Sequence, residues 1–241
     1  MIALLRYQAA ILARSHRWIF PLIAYGLLVA VGGEGSTPLA EGLNWSAAML
    51  VPVIALLTRS MLTAEPDAAR AVVAAAAGPA RAQLAPLATA LGGGAILGLA
   101  GAAFEVFASE SVARHPAGGE LAKVTAVMAD PSVLAAGLAI ALVCVLVGSA
   151  VGALCNAPLL RHPAASLLST LAVVVLALVS GVSPAAAALK VTAPVTDAAA
   201  LALPHWPGVV PLVAAAGLLA VTWTASVLVA TRRDSRGASL S

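Results

Sequence analysis

The stretch Pro131–Leu154, PSVLAAGLAIALVCVLVGSAVGAL, carries no charged residue and nothing more polar than serine. At 1.5 Å per residue, a helix of this length spans the roughly 30 Å hydrocarbon layer of a bilayer. Five further apolar runs stand on either side of it: Trp18 to Val31, Trp45 to Met61, Leu84 to Phe104, Ala164 to Val182 and Val209 to Ala230. Composition agrees, with 61% hydrophobic and 10% charged residues, where a soluble domain has about 25% charged. So few charges could not cover the surface of a water-soluble chain. The expected fold is all-α: a polytopic membrane protein of six transmembrane helices in one membrane domain, residues 18–230.

Residues 1–17 read as a helix of mixed character, with apolar Ile2, Leu4, Leu5, Ile11 and Leu12 and polar Arg6, Gln8, Arg14 and Arg17. That mixture suits an N-terminal interfacial helix, and equally a cytoplasmic extension of the first span. The three arginines ahead of the span, with no small-residue cleavage site after it, argue against a signal peptide. Residues 231–241 form a polar tail.

Six spans put both ends on one side. Arg6, Arg14, Arg17, Arg59, Arg70, Arg81, Arg161, Arg232, Arg233 and Arg236 fall on that side, and only Arg114, Lys123 and Lys190 fall opposite. An excess of basic residues marks the cytoplasmic face. The expected location is the cell membrane, multi-pass, with both termini cytoplasmic.

Catalytic signatures are absent from the sequence. There is no HExxH, no CxxC and no phosphate-binding G-x-x-x-x-G-K-[ST], so no catalytic, cofactor-binding or metal-ligating residue is expected and the chain is not read as an enzyme. Gly181-Val182-Ser183 with His205 downstream loosely resembles a serine nucleophile and its base. His205, however, stands between Pro204 and Trp206 in a broken stretch, and a base must lie within hydrogen-bond reach of its nucleophile. Cys144 and Cys155 fall in one predicted helix, about 16 Å apart, too far for a disulfide. The net charge of +3, without a basic stripe, is too small to argue for nucleic acid, and no nucleic-acid partner is expected. Ion-driven transport usually leaves ionisable residues in mid-span; the nearest here is Glu105, at a predicted helix end.

Two glycine pairs, Gly94 with Gly98 and Gly148 with Gly152, place small residues on single helix faces and allow close helix approach. Packing within the subunit is preferred over a dimer contact. The polar stretch between the second and third spans is more informative. Glu65-Pro66-Asp67 has the character of a helix start, and Gly78-Pro79 that of a stop. Between them runs a short helix through Arg70 to Ala77, bounded on the cytoplasmic side by Arg59 and Arg81. Its spacing fits a contact for a soluble partner and an ordinary interfacial connector equally.

Taken over nearly its whole length, the chain resembles the membrane subunit of an ABC-2-type exporter. The resemblance lies in a basic amphipathic N-terminus, six spans, a cytoplasmic coupling helix between spans two and three, and the loop Ala74-Ala75-Ala76-Ala77-Gly78-Pro79-Ala80-Arg81-Ala82-Gln83-Leu84 leading into span three. The proline-broken stretch from Ser183 to Gly208 is similar to the family's re-entrant helices between spans five and six. The outer loop from Glu105 to Asp130 is longer than the family's pattern.

The resemblance implies a permease that binds no cofactor itself and works with an ATP-binding cassette subunit, which holds ATP and Mg. It implies a second permease copy or paralogue and places Glu65, Asp67 and Arg70 at the contact with the ATP-binding subunit. Lack of mid-span charge suits an amphipathic or hydrophobic cargo such as a peptide, lipid or drug. The alternative is a non-transporting membrane scaffold or immunity protein that binds a hydrophobic ligand.

Overall fold

Residues 1–16, 18–32, 39–108, 131–155, 163–180, 183–191 and 209–238 are described by a computed structural model. Every regular element among them is an α-helix: α1 Ile2–Ser15, α2 Ile19–Gly32, α3 Leu39–Leu62, α4 Asp67–Ala77, α5 Pro79–Ala108, α6 Pro131–Leu154, α7 Pro163–Val179, α8 Pro184–Val191 and α9 Val209–Ala238. Five runs are long and apolar enough to cross a membrane: α3, α5, Val133–Leu154 of α6, Leu168–Lys190 through α7 into α8, and Val209–Val229 of α9. At 14 residues, α2 rises only about 21 Å and reaches that length only together with α1. Those two helices meet at 75°, so α1 is not a straight continuation of α2. The bend follows His16, whose φ of 55° puts it in the left-handed conformation that ends a helix.

The spans expected from Trp45 and Leu84 begin earlier and, in the second case, end later, at Leu39 and at Pro79 to Ala108. Trp45 therefore lies inside α3. Its indole N–H donates to the Leu28 carbonyl of α2 at 2.9 Å, fastening the two helices. Residues 231–238, read from sequence as tail, continue α9 to Ala238; no proline interrupts them. Of the broken outer stretch from Ser183 to Gly208, the part up to Val191 contains α8, and residues 192–208 lie outside the described residues, as does 109–130 of the long outer loop. Cys155 stands in the turn just past α6, and both cysteines are buried thiols.

At the centre is α3, packed most extensively on α6 and then on α5 and α2. Leu50, Val51, Ile54 and Ala55 of α3 are fully buried, as are Ile140, Cys144 and Val147 of α6. Glycines set the separation. A methyl group at Gly148 would stand 2.8 Å from the Val51 carbonyl, and one at Gly152 would stand 2.6 Å from the Ala55 carbonyl. Real side chains do not tolerate such contacts, so α6 lies directly on the backbone of α3. From the other side, Gly94 of α5 meets Ile54 and Val145, and Gly98 meets Leu50.

The periphery is different. α9 buries only 11% of its apolar window. Phe20, Ile23, Leu27 and Val31 of α2 and Leu168, Val175, Leu176 and Val179 of α7 are exposed. In a monomer of this composition such faces suit lipid rather than water.

Gly152→Ala should lower the unfolding midpoint in detergent, by an overpacking cost of about 1–3 kcal/mol. Gly217→Ala on α9, where nothing lies within 4 Å of the added methyl, should leave the midpoint unchanged or slightly raised. Equal effects at the two positions would contradict the close α3–α6 contact.

Candidate functional site

The joint between α3 and α5 is built from a few sequence signals. Pro66 takes the N-cap of α4 with φ −60° and ψ 147°, a conformation proline holds by its ring. At the other end Gly78 has φ +88°, a backbone state that glycine enters without strain. Its N–H donates to the Ala74 carbonyl at 2.9 Å, and Pro79 opens α5 where a missing N–H costs nothing. The result is an 11-residue helix, about 16 Å long, with sharp corners at both ends.

Polar side chains lock this joint from inside. The Arg70 guanidinium donates to the Leu62 carbonyl, one of the acceptors left open at the end of α3, where positive charge is also favoured by the helix dipole. Glu65 is buried. It stands beside the exposed Tyr7 of α1 and leaves its Oε1 without a hydrogen-bond partner. Loss of water and then the neighbouring Glu65 carboxylate push the Tyr7 phenol above its ordinary value. Next to Tyr7, Gln8 is buried with only 1% exposure, on a helix that packs against α5. α1 thus reaches the region of the α3–α4 corner, where Tyr7 neighbours Glu65.

Of the residues expected at a partner contact, Glu65 is buried and Arg70 half-buried. Glu65 and Arg70 hold α4 in place, and the Asp67 side chain lies outside the described residues. What α4 presents outward is a strip at helical spacing: Ala68, Ala71, Val72, Ala75 and Ala76, all exposed, with Val72 at 69%. α5 is the main element packed against α4. Sequence reasoning placed the charged residues at a contact on the family resemblance alone. The periodic small residues beside them were the signal it passed over.

The glycines named from sequence lie against neighbours within the chain: Gly94 and Gly98 against α3 and α6, Gly148 and Gly152 against α3. A second polar group, read from sequence only as a helix end, stands at the far end of the bundle. Glu105 is 2% exposed, faces Gly42 of α3 and leaves Oε1 without a hydrogen-bond partner. Tyr25 of α2 is seated on Gly101, and its hydroxyl donates to the Ser46 carbonyl at 3.4 Å.

No catalytic constellation forms among the described residues. No group of three His, Cys, Asp or Glu there could hold a metal ion. Ser183 is half-buried, its N–H donating to the Ser180 carbonyl, and His205 lies outside the described residues. No protein-family model, curated protein or solved structure matches the chain.

Tyr7→Phe and Glu65→Gln should each speed amide hydrogen exchange across α1, and the double variant should do no more than the stronger single one. Additive effects would mean that the two groups do not act as a pair.

Proposed function

We propose that the chain is the membrane-spanning subunit of an ATP-driven exporter. In this reading it supplies the path and the lever, and a separate ATP-binding subunit supplies the energy. One observation carries the proposal: α4 is a short helix fixed rigidly from inside and left apolar on its outward face. In this reading the exposed row of Ala68, Ala71, Val72, Ala75 and Ala76 lies on the cytoplasmic side. It suits a helix-in-groove contact with a soluble partner, in which apolar anchors at i, i+3, i+4 and i+7 enter a groove.

The internal locks make such a contact mechanically useful. A push on α4 passes through the Arg70–Leu62 bond into α3, the centre of the bundle. Through Glu65 and Tyr7 it also passes into α1, which leads by a bend into α2. A floppy connector would absorb the displacement; this one is short and capped at both ends.

In this reading α1 lies at the cytoplasmic interface, both termini are cytoplasmic, and α4 faces the cytoplasm. The concentration of arginines on that side in the sequence supports the orientation. Two such chains, or this one with a paralogue, would line a pathway above two ATP-binding subunits. The apolar spans suit an amphipathic or hydrophobic cargo.

Purified in mild detergent from its native membrane, the chain should bring down an ATP-binding subunit at near one-to-one stoichiometry. Val72→Glu should reduce that recovery at least tenfold while leaving the unfolding midpoint unchanged. A chain that purifies without such a subunit, even after gentle crosslinking, would overturn the exporter reading. Retention of the subunit by Val72→Glu would move its contact away from the α4 face.

A further inference from the structure

On α5 the buried positions Gly94, Gly98 and Gly101 recur at helical spacing, and the next in the series is Glu105. The helix periodicity that turns the glycines into the bundle turns a carboxyl in with them. Measured from Leu84, where the apolar run of α5 begins, Glu105 is about 32 Å along the helix. It therefore sits at the end of the apolar layer remote from α4.

Its surroundings are closely built. Oε2 lies against Gly42 of α3, where a methyl group would collide with it. Tyr25 of α2 fills the space over Gly101, one turn away on α5, and holds the Ser46 carbonyl by a long hydrogen bond of 3.4 Å. Oε1 has no hydrogen-bond partner, and the whole residue is 2% exposed.

The ionisable groups facing it from the elements around α5 are few. From α2 comes the Tyr25 hydroxyl, and behind the tyrosine stands the Cys144 thiol of α6. From α3 come Gly42 and Ser46; its Glu41 is exposed. α9, which also packs on α5, has no ionisable residue between Val209 and Val229. α4 joins α5 at the opposite end, where Tyr7 of α1 stands beside Glu65. No charged side chain among the described residues offsets the carboxyl.

An ionised carboxylate so placed would keep a bare oxygen away from water and from every cation of the described residues, an arrangement proteins avoid. A proton bound at the carboxyl removes that uncompensated charge.

We propose that Glu105 is a proton-binding site at the outer end of the bundle, closed by Tyr25 and by the glycines Gly42 and Gly101. A proton from the outer aqueous phase binds Glu105 Oε1 when α2, α3 and α5 are packed together. It returns to water when they part. Proton occupancy and helix closure are therefore linked, and this holds whether or not the chain works with an ATP-binding subunit. In sign, an unfolded glutamate ionises above about pH 4.3. A folded state that keeps the proton beyond that point loses stability as pH rises, until its own carboxyl ionises.

Infrared spectra of the full chain in lipid nanodiscs at neutral pH test this directly. The wild type should show a protonated-carboxyl C=O band that shifts in D2O. Glu105→Gln should abolish the band. Glu65→Gln, at the other buried carboxyl, should retain it, and Tyr25→Phe should move its frequency. Between pH 5 and pH 8 the wild-type unfolding midpoint should fall relative to that of Glu105→Gln. A band unaffected by Glu105→Gln, or two midpoints that run parallel across this range, would overturn the proposal. If Glu105→Gln does not fold, the wild-type spectrum decides through selectively labelled glutamate. A spectrum with every glutamate ionised at neutral pH would refute the site.

Discussion

Everything in this molecule depends on how closely α6 can approach α3. Among lipid tails two apolar helices gain little from burying hydrocarbon against each other, since the tails are equally apolar. Dense contact must hold them together. Gly148 and Gly152 provide it by letting α6 rest on the Val51 and Ala55 carbonyls, so that dispersion contacts accumulate along the whole crossing. The α5 glycines extend the same arrangement to a third helix. With α3 held on two sides, its ends become fixed points from which the polar features are built.

Those polar features divide between the two ends of the bundle. At one end Arg70 satisfies the Leu62 carbonyl and Glu65 is buried beside it, so the polar side chains serve as structure. The α4 face left outside is apolar. At the other end Glu105 and Tyr25 are buried between α2, α3 and α5, with one carboxyl oxygen unanswered. In the proposed exporter, the first end receives displacement from a soluble partner and the second senses how tightly the outer ends of the helices are closed. Because α3 runs between them and contributes to both, a rigid shift of that one helix would couple them.

Reading the sequence alone recovers the helical class and most of the spans, because a run such as Pro131–Leu154 has no other stable form when water is excluded. The corners of α4 were equally legible: proline and glycine act through their own backbone geometry, independently of neighbours. Span limits at Leu39 and Pro79 were not, since polar residues such as Glu41 and Arg81 continue a helix without difficulty and nothing local marks where the apolar layer stops. Likewise the polar tail after Ala230 shows no stop signal, and the helix runs on to Ala238.

Local chemistry and period thus determined that the chain is helical, apolar enough to cross a membrane several times, and broken by one short capped helix at residues 67–77. Only the tertiary structure decided which way the charged residues point. Glu65 and Arg70 read as surface in sequence and are turned into the joint; Glu105 reads as a helix end and is enclosed. The reason is physical: a side chain's exposure depends on which helix packs against its face, and that is set by close contacts, such as Gly42 against Glu105, between residues far apart in the chain.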